Sequence, residues 1–498
     1  MRKILLIKST NLGPRNIGAP QPMGIMYLAS YVINQRHDRV KILDSRIYKD
    51  PAKEFLKILY EFKPEVIGIS ALTVEAGYLH SIAQLTKSIN KSIKIVVGGP
   101  YVTAIPETVV KDSNIDIGVI GEGEVTFKEL MDAFEYNLPL NSIKGIIYKQ
   151  NGNIIKTPDR PYIENVDELP FPAWDLIDMK KYYSLRGMGT IGIRPYMLLF
   201  TSRGCPFRCT YCHNIFGKRF RPRSVENVLQ EMNLLMETYE INDFEIIDDI
   251  SNFDRERIKS VLRSIIDRKW KIHLSFPNGV RTDMLDEEIV MLMKKAGTVE
   301  ISIAVETISP RLQRMVKKNL NLEKVKKMIS VCVDSGMFVR GFFMLGFPTE
   351  TIEEMKATID FACKSKLHEA LFFKVNPFGG TELSDQVNKA GKFPHGAITD
   401  DHNYFSVPFN ISNIPDKLFN ILYAWAYIKF YFNVGRIIRI LKRKLMWNDL
   451  PMLLWRVIVI SFNAGNKHKG SKTIAIDLND KKYAIVNDVK RHSTYKSQ

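Results

Sequence analysis

Three cysteines lie close together near the middle of the chain, and their spacing suits the binding of an iron–sulfur cluster. Cys205, Cys209 and Cys212 have the spacing C-x3-C-x2-C within the segment TSRGCPFRCTYCHN. An apolar run directly before this segment predicts a strand. An iron–sulfur cube is normally held by four thiolates. Three thiolates in one loop therefore predict a 4Fe-4S cube in which one iron remains open to a substrate or a cofactor.

A zinc site of the Cys3His type is the alternative use of these cysteines, with His213 as the fourth ligand. Cys212 and His213 are adjacent in the sequence, however, so their side chains diverge and close a tetrahedron with difficulty. A disulfide is favoured less still, because five cysteines, three of them clustered, indicate a reducing cytoplasmic location. We therefore favour the iron–sulfur cluster.

The elements that must position this loop alternate between apolar strands and helical patterns. In the second half, strands are predicted near residues 197–202, 244–248, 272–276, 299–304, 338–345 and 370–375. Six such units predict a partial (β/α)6 TIM barrel, whose functional residues lie at the carboxyl ends of the strands. Near the N-terminus, strands predicted at 4–7, 40–43, 66–69, 93–97 and 115–120 indicate a doubly wound, flavodoxin- or Rossmann-like parallel sheet. The fold class is therefore α/β.

Polar residues follow the predicted barrel strands at the expected edge. Asp248 and Asp249 follow the second strand, where their carboxylates can accept hydrogen bonds from an ammonium group. Arg281 follows the third strand and can pair with a carboxylate through two hydrogen bonds. The alternative for each residue is a helix cap or a surface ion pair, and the two aspartates would also complement the dipole of the helix predicted after them.

The fourth and fifth barrel strands end in residues of a different kind. Glu306, with Ser309 close behind, follows the fourth strand, and its carboxylate suits a ribose diol. Gly346 follows the fifth strand, where the missing side chain would let a planar base approach the backbone. These residues predict a site for a nucleoside-like ligand at the mouth of the barrel.

The loops after the N-terminal strands are rich in glycine and small polar residues. Glycines at strand ends let a flat ligand approach the backbone closely, although each such loop alone is more often a tight turn. The candidate binding residues are Ser9, Thr10, Asn11, Pro22, Gly24, Ser70, Thr73, Gly98, Gly99, Pro100, Tyr101, Gly121, Glu122, Gly123 and Glu124.

The cysteine motif, with Tyr211 before its third cysteine, resembles the signature of the radical S-adenosylmethionine (radical SAM) superfamily. The N-terminal loops resemble the cobalamin-binding domain that precedes many radical SAM domains, through a P-x-G-x-x-x-L-A pattern from Pro22, a GGP-x-x-T loop at 98–103 and a GEGE loop at 121–124. The resemblance implies that the open iron of the 4Fe-4S cluster binds S-adenosylmethionine and that the N-terminal loops bind cobalamin. The implied S-adenosylmethionine contacts are Tyr211 over adenine, Asp248 and Asp249 near the methionine amine, Glu306 near ribose or methionine, and Gly346 near adenine. Arg281 and Ser309 are further candidate contacts.

One departure from the cobalamin family pattern concerns the lower face of the cofactor. The motif D-x-H-x-x-G supplies a histidine ligand to cobalt in other cobalamin proteins, whereas this chain has Arg46 at the histidine position and Lys49 at the glycine position. The resemblance therefore implies cobalamin without a histidine beneath it, which favours methyl transfer from the upper face. A second departure is Tyr101, where family members often carry histidine.

Four parts are expected along the chain. They are a cobalamin-binding domain at 1–140, a hairpin and linker at 141–190, a radical SAM core at 191–385 and a helical, basic C-terminal region at 386–498. Asn151-Gly152 predicts the turn of the hairpin. The prolines of the following LPFPAW segment indicate a linker that crosses the surface between the domains.

The net charge of +17 comes from lysine and arginine spread along the whole chain, so we interpret most of it as solvated surface and expect no nucleic-acid partner. Residues 418–445 are apolar and aromatic and then basic. They suit peripheral contact with a membrane surface or cover over a lipid-like substrate. The commoner role for such a helix is packing on the open edge of the barrel.

The resemblance implies a cobalamin-dependent methyltransferase that acts on an unactivated carbon or on phosphorus, using methylcobalamin and a 5'-deoxyadenosyl radical. Its expected partners are a small-molecule or lipid-like substrate and an electron donor such as ferredoxin or flavodoxin. One alternative is radical cyclisation, oxidation or carbon–carbon coupling on a lipid or tetrapyrrole. The non-enzyme alternative is a zinc-dependent RNA-binding protein. A methylthiotransferase is disfavoured because no cysteine precedes Cys205 to bind a second cluster.

Overall fold

The structure is a computed structural model that describes residues 1–10, 18–191, 195–213, 215–391, 409–442, 472–477 and 482–487. The candidate residue Asn11 lies outside these ranges, as do residue 214 at the end of the cysteine segment and residues 443–445 of the basic segment. No helix in the described ranges combines the length and the hydropathy needed to cross a lipid bilayer.

The N-terminal half folds around one seven-stranded sheet with the strand order β2-β1-β3-β4-β5-β6-β7. Strands β1 to β5 are parallel, and β1 pairs with both β2 and β3, so the connections run in opposite directions from the centre. The predicted doubly wound sheet is confirmed. Its elements are β1 (Lys3–Lys8), α1 (Met23–Arg36), β2 (Arg39–Asp44), α2 (Pro51–Phe62), β3 (Val66–Ser70), α3 (Ala76–Ile89), β4 (Lys94–Gly98), α4 (Pro100–Ala104), α5 (Pro106–Val109), β5 (Ile117–Val119), α6 (Glu124–Tyr136), β6 (Ile146–Gln150) and β7 (Asn153–Lys156).

The predicted hairpin forms, and it extends the N-terminal sheet. Its turn residues Asn151 and Gly152 have φ angles of 51° and 82°, as a two-residue turn with positive φ at both positions requires. Strand β6 pairs antiparallel with β5. The hairpin therefore belongs to the sheet of the first domain, whereas the sequence had placed it in the connecting segment.

The connecting segment itself is buried between the two halves. Leu169, Ala173 and Trp174 are each 5% exposed or less. The Trp174 indole donates to Glu231 at 3.3 Å, and the Ala173 amide donates to the Met26 carbonyl at 3.2 Å. The expectation that this linker crosses the surface is wrong, because its apolar side chains fill the space between the domains.

The second half contains six parallel strands in the order β15-β14-β13-β12-β11-β8, each next to its sequence neighbour in this sheet. The predicted partial barrel is confirmed. Its elements, with those that flank them, are α7 (Met179–Tyr183), β8 (Met197–Leu199), β9 (Ser202–Arg203), β10 (Arg221–Pro222), α8 (Val225–Tyr239), β11 (Asp243–Ile246), α9 (Arg255–Asp267), β12 (His273–Val280), α10 (Glu287–Lys295), β13 (Thr298–Glu306), α11 (Pro310–Met315), α12 (Leu322–Asp334), β14 (Phe338–Leu345), α13 (Ile352–Lys364), β15 (Glu369–Lys374) and α14 (Glu382–Lys389).

The bottom of the barrel is closed by backbone from the connecting segment. The Thr190 amide donates to both carboxylate oxygens of Glu300, at 2.9 and 2.8 Å. The amides of Met188 and Gly189 donate to Glu245 at 2.7 and 3.1 Å. Burial raises the pKa of Glu245 to about 7. These contacts close the end of the barrel opposite to the carboxyl ends of its strands.

The C-terminal region packs on the open edge of the barrel, as expected. Within residues 409–442 the structure has two helices, α15 (Asp416–Tyr431) and α16 (Val434–Leu441), rather than one continuous helix. A separate antiparallel pair follows, β16 (Lys472–Asp477) and β17 (Lys482–Asn487). Three tyrosines on one face of α15 bind the outer backbone edge of β15: Tyr423 and Tyr427 donate to the Phe372 carbonyl, and Tyr431 donates to the Ala370 carbonyl. Helix α15 therefore satisfies polar groups that an edge strand would otherwise leave unpaired.

Candidate active site at the junction of the two domains

The cysteine loop is closed at its base by a short antiparallel ribbon. Strands β9 and β10 pair, with Arg203 opposite Arg221, so residues 204–220 form a loop that leaves and re-enters the barrel at one place. Gly204 has a φ of 81°, and a Cβ there would lie 2.2 Å from the Arg219 carbonyl oxygen. The Cys205 amide donates to the Gly217 carbonyl at 3.2 Å. The loop therefore has a tight, defined path through the first cysteine.

The three thiols influence one another electrostatically. Desolvation raises the pKa of the Cys205 thiol, and desolvation together with neighbouring Cys209 raises the pKa of the Cys212 thiol. Such a group of thiols becomes a set of thiolates only when positive charge is bound between them. An iron–sulfur cluster supplies that charge, so the donor set fits it.

His213 is exposed at the surface directly after Cys212. The charged groups that act on its ring are Asp249 and Lys218. Among the residues that the structure describes, no three His, Cys, Asp or Glu side chains are arranged to hold a single metal ion.

The two predicted aspartates have different surroundings. Asp248 accepts hydrogen bonds from the Thr201 amide at 2.6 Å, the Thr201 hydroxyl at 2.5 Å and the Ser202 hydroxyl at 2.6 Å. Its carboxylate therefore holds the start of the cysteine loop. Asp249 accepts from the Gly204 amide and lies near His213. The predicted helix-dipole role is wrong for both, because helix α9 begins only at Arg255, with Asp254 as its cap.

Arg281 does not present a free guanidinium to a ligand. It pairs with Asp283 at 3.0 Å and donates to the Lys318 carbonyl at 2.9 Å. Its guanidinium also stacks on the ring of Phe207 in the cysteine loop, 3.7 Å from the ring centroid. Arg281 therefore supports the loop from the side of the barrel.

Tyr211 and Glu306 are brought together by the fold. The Tyr211 hydroxyl donates to Glu306 at 3.2 Å, and the Lys318 ammonium pairs with the same carboxylate at 3.1 Å. Glu306 has a φ of 67°, which is unusual for a side-chain-bearing residue. The sequence did not single out Lys318, because nothing local distinguishes it from the lysines around it. The three side chains form a polar group beside the last cysteine.

Ser309 and Gly346 have structural roles. Ser309 caps helix α11 by accepting from the Leu312 amide at 3.2 Å, so the helix-cap alternative holds for it. Gly346 has a φ of 97°, and a Cβ there would lie 2.9 Å from the ring of Phe419 in α15. The Phe419 ring therefore fills the space that a side chain at Gly346 would need, and the contact between Gly346 and an adenine stays a prediction.

The carboxyl ends of β1, β3, β4 and β5 bring the other predicted loops together. The Ser9 amide donates to the Ser70 carbonyl at 2.9 Å. Gly99 has a φ of 89°, and a Cβ there would lie 2.7 Å from the Ser70 hydroxyl oxygen. Pro100 begins α4 directly after it, and Thr73 begins a short turn after β3.

Two glycines at this edge have open space where a side chain would be. A Cβ added at exposed Gly24, near the start of α1, or at Gly121, after β5, would meet no atom within 4 Å. Gly123 and Gly98 are closer to their neighbours, with Leu28 at 3.5 Å and Val119 at 3.8 Å. A flat macrocycle can therefore approach the backbone at this edge, which fits the corrin ring of cobalamin.

Tyr101 and Arg46 are the two departures from the family pattern, and both side chains contact polar groups of the protein itself. Tyr101 is 5% exposed, and its hydroxyl lies 3.2 Å from the His80 ring. Arg46 binds both carboxylate oxygens of Asp44 and donates to the Pro20 carbonyl at 2.6 Å. Asp44 keeps the pKa of Arg46 above its usual range. A permanently charged guanidinium cannot ligate cobalt, so this position offers no lower ligand.

The carboxylates of the GEGE loop point to the barrel domain. Glu122 pairs with Arg203 at 3.0 Å and with Arg221 at 2.9 Å, and Glu124 pairs with Arg203 at 2.7 Å. These side chains were predicted to contact a cofactor, but their oxygens bind the two arginines at the base of the cysteine loop. Sequence reasoning missed both arginines, since their partners lie in another domain.

Comparison with known proteins identifies both halves of the chain. The family model described as the radical SAM superfamily matches residues 199–362, and that of the B12 (cobalamin) binding domain matches residues 18–131. The first covers the cysteine loop and most of the barrel, and the second covers the glycine-rich edge of the N-terminal sheet.

Two curated relatives are similar over most of their length. The uncharacterized methyltransferase PH0819 of Pyrococcus horikoshii is 36% identical over 365 residues, which are 73% of this chain and 77% of the relative. Cytidylyl-2-hydroxyethylphosphonate methyltransferase of Streptomyces wedmorensis is 30% identical over 421 residues, which are 74% of this chain and 78% of the relative.

A solved structure shares the architecture. The cobalamin-dependent S-adenosylmethionine radical enzyme OxsB, with aqua-cobalamin and S-adenosylmethionine bound, superposes with a TM-score of 0.72 at 17% identity. The match covers 93% of this chain and 72% of that one. The two-domain arrangement is therefore a known fold.

Proposed function

The chain belongs to the radical SAM superfamily and carries a B12-binding domain ahead of its radical SAM domain, and from this we propose that it is a cobalamin-dependent radical SAM methyltransferase. The proposed reaction methylates an unactivated carbon or a phosphorus atom. The observation that carries the proposal is the three-cysteine loop held directly against the open glycine edge of the B12-binding sheet. Two relatives named as methyltransferases support the same reaction class.

Different residues of the chain would hold the two groups of cofactors. When bound, the cluster and S-adenosylmethionine supply a radical that removes hydrogen from the substrate, and cobalamin supplies the methyl group. Cys205, Cys209 and Cys212 would hold the cluster. Glu306 and Tyr211, beside the last cysteine, would accept and donate hydrogen bonds to the polar part of S-adenosylmethionine. The buried connecting segment helps to exclude water between the domains.

The inner wall of the barrel suits an apolar substrate. Phe342 and Phe373 are half-buried, and their rings meet edge to face at 5.8 Å. A Cβ added at Gly279 would lie 3.7 Å from Ala304 and 3.9 Å from Phe342. Because Gly279 has no side chain, space remains next to these two residues. Arg340 lies nearer the bottom of the barrel, where its guanidinium donates hydrogen bonds to Ser302, Thr190 and backbone carbonyls. We therefore propose a small-molecule or lipid-like substrate whose reacting part is uncharged.

An acidic electron donor, such as ferredoxin or flavodoxin, suits the surface around the cysteine loop. Arg208 and Arg219 are exposed on the loop, Lys218 is half-buried, and exposed Lys317 lies beside Cys209. Arg219 and Lys317 also pair with Glu164 and Glu382 at the surface, where ion pairs are weak. The donor must bring an electron close to the cluster, and these cations would attract its acidic surface. Raising the ionic strength is expected to slow cluster reduction by the donor and to leave reduction by dithionite much less affected.

The C-terminal helices suit a peripheral contact with an anionic membrane. The exposed large apolar residues here are Ile421, Ile428, Phe432, Val434, Ile437, Ile438 and Leu441. The sequence contains no acidic residue between Asp416 and Asp449, so cations alone accompany this apolar surface. Co-sedimentation with phosphatidylglycerol vesicles, but not with phosphatidylcholine vesicles, is expected for the protein and is expected to weaken in F432E.

The compartment proposed is the reducing cytoplasm. None of the five cysteines forms a disulfide in the structure, and Cys332 and Cys363 are buried in helices α12 and α13. Burial raises the pKa of Cys332 to about 12, so this thiol stays protonated and unreactive.

Anaerobic reconstitution with iron and sulfide tests the cluster. The protein is expected to bind close to four irons per chain, and C205S, C209S and C212S are each expected to lose most of them. C332S and C363S are the matched controls and are expected to keep them. A protein that stays colourless and binds zinc and RNA instead would favour the non-enzyme alternative.

Transfer of a labelled methyl group tests the reaction. The holoenzyme is incubated with S-adenosylmethionine that carries a deuterated methyl group, an electron donor and a metabolite extract, and the products are analysed by mass spectrometry. A product heavier by a deuterated methyl group is expected. Product formation without the label would overturn methyl transfer and favour cyclisation, oxidation or coupling.

A further inference from the structure

We propose that Glu122 and Glu124 of the GEGE loop are positioning residues that hold the cysteine loop closed from the other domain. We call Glu122, Glu124, Arg203 and Arg221 the interdomain clamp. All four side chains are 6% exposed or less. The proposal deepens the proposed function and rests on it, since it assumes that the cysteine loop holds the cluster.

The carboxylate of Glu122 is fully occupied by the clamp. One oxygen accepts from Arg203 at 3.0 Å and from Arg221 at 2.9 Å. The other accepts from Arg221 at 2.9 Å and from the Ile163 amide at 2.9 Å. Four hydrogen bonds use the acceptor sites of an ionised carboxylate. Glu122 therefore has no acceptor left for a cofactor, although its family motif lies in the cofactor-binding edge.

The Glu122 carboxylate offsets a repulsion between Arg203 and Arg221 that the β9–β10 ribbon creates. Arg203 and Arg221 are directly opposite in a pair of two-residue strands, and like charges in that position repel. Both are buried, so water does not screen the repulsion. With Glu122 between them and Glu124 on Arg203, the four charges sum to zero. The base of the cysteine loop is therefore stable only when the B12-binding domain is docked against it.

The clamp also reaches into the loop. The Arg203 guanidinium lies between the rings of Tyr27 and Phe216, 5.0 and 5.1 Å from their centroids. Arg221 donates to the Phe216 carbonyl at 2.7 Å. Cys205 follows Arg203 by two residues, and Gly121 precedes Glu122 in the chain. The clamp thus joins the first cluster ligand to the glycine edge proposed for cobalamin, and it fixes the distance between the two cofactor sites.

The test compares E122Q with a matched control in the reconstituted full-length protein. E122Q keeps the shape of the side chain but leaves one uncompensated positive charge among the buried arginines. E129Q is the control, because Glu129 lies on helix α6 of the same domain and pairs with Arg160 at a half-exposed site. Iron release to a chelator is expected to be at least about tenfold faster in E122Q than in the wild type, as expected for breaking a buried pair, and unchanged in E129Q. The electron paramagnetic resonance spectrum of the reduced cluster is expected to change in E122Q.

Charge-balanced rescue separates a positioning role from a general loss of folding. E122Q/R221Q again has equal numbers of buried positive and negative charges, so it is expected to recover most of the slow iron release. Far-UV circular dichroism checks that each variant folds. Iron release in E122Q equal to that in E129Q would overturn the clamp, and so would a double variant no better than E122Q. A wild-type protein that binds no cluster would instead refute the proposed function.

Discussion

The hydrogen bonds from helix α15 to the barrel give a prediction whose size follows from the structure. The Tyr427 hydroxyl accepts from the Phe372 amide at 3.0 Å and donates to the Phe372 carbonyl at 2.9 Å. The Tyr423 hydroxyl donates to the same carbonyl at 2.8 Å and contacts the Tyr427 hydroxyl, but it does not bind the Phe372 amide. Y427F therefore leaves a buried N–H group without its acceptor. Y423F leaves the carbonyl with one donor still in place.

The two variants are expected to destabilise the edge of strand β15 by different amounts. An unsatisfied buried polar group costs about 1–3 kcal/mol, whereas loss of one hydrogen bond with no group left unsatisfied costs about 0.5–1.5 kcal/mol. At tenfold per 1.4 kcal/mol, Y427F is expected to speed exchange of the Phe372 amide by about 5- to 150-fold and Y423F by about 2- to 13-fold. The destabilisation in the double variant is expected to exceed the sum of the two single effects, because the Phe372 carbonyl then loses both donors.

Hydrogen–deuterium exchange with mass spectrometry of a peptide covering Glu369–Lys374 measures this directly. Peptides from the B12-binding sheet serve as the internal control and are expected to exchange as in the wild type. Equal acceleration in the two single variants, or a larger effect in Y423F, would refute the reasoning, because it would show that helix α15 stabilises the strand by packing rather than by satisfying its edge.

Two further predictions concern the cobalamin edge and the bottom of the barrel. G24A is expected to leave stability unchanged or raise it by up to about 1 kcal/mol, since alanine favours the helix, whereas G24F is expected to weaken cobalamin binding, measured by absorbance titration, by filling the open space above α1. Burial raises the pKa of Glu245 from 4.5 to about 7, so between these pH values the folded state holds a proton that the unfolded state releases, and stability falls as the pH rises. Over this pH range, the free energy of unfolding measured by urea denaturation is expected to fall by up to about 3 kcal/mol in the wild type, since one pKa unit corresponds to 1.36 kcal/mol. A smaller fall is expected in E245Q. Equal falls in the two proteins would contradict the role of Glu245.

The sequence was informative where a feature depends on residues close together in the chain. The C-x3-C-x2-C spacing predicts a loop of three thiols without any knowledge of the fold. Asn151-Gly152 predicts its turn, because both residues tolerate positive φ. The alternation of apolar strands with helices predicts both parallel sheets, since burial on both faces gives each strand a short apolar run.

Only the tertiary structure decided which polar side chains meet. Glu122 and Arg203 are 81 residues apart, and Tyr211 and Glu306 are 95 apart. The charge of a residue gives its chemistry but not its partner, because the partner depends on how strands from distant segments are packed. The same reason applies to Gly346, whose missing side chain makes room for Phe419 from the C-terminal helix. The chain's local spacing therefore determined the cluster loop, and long-range packing determined what holds that loop in place.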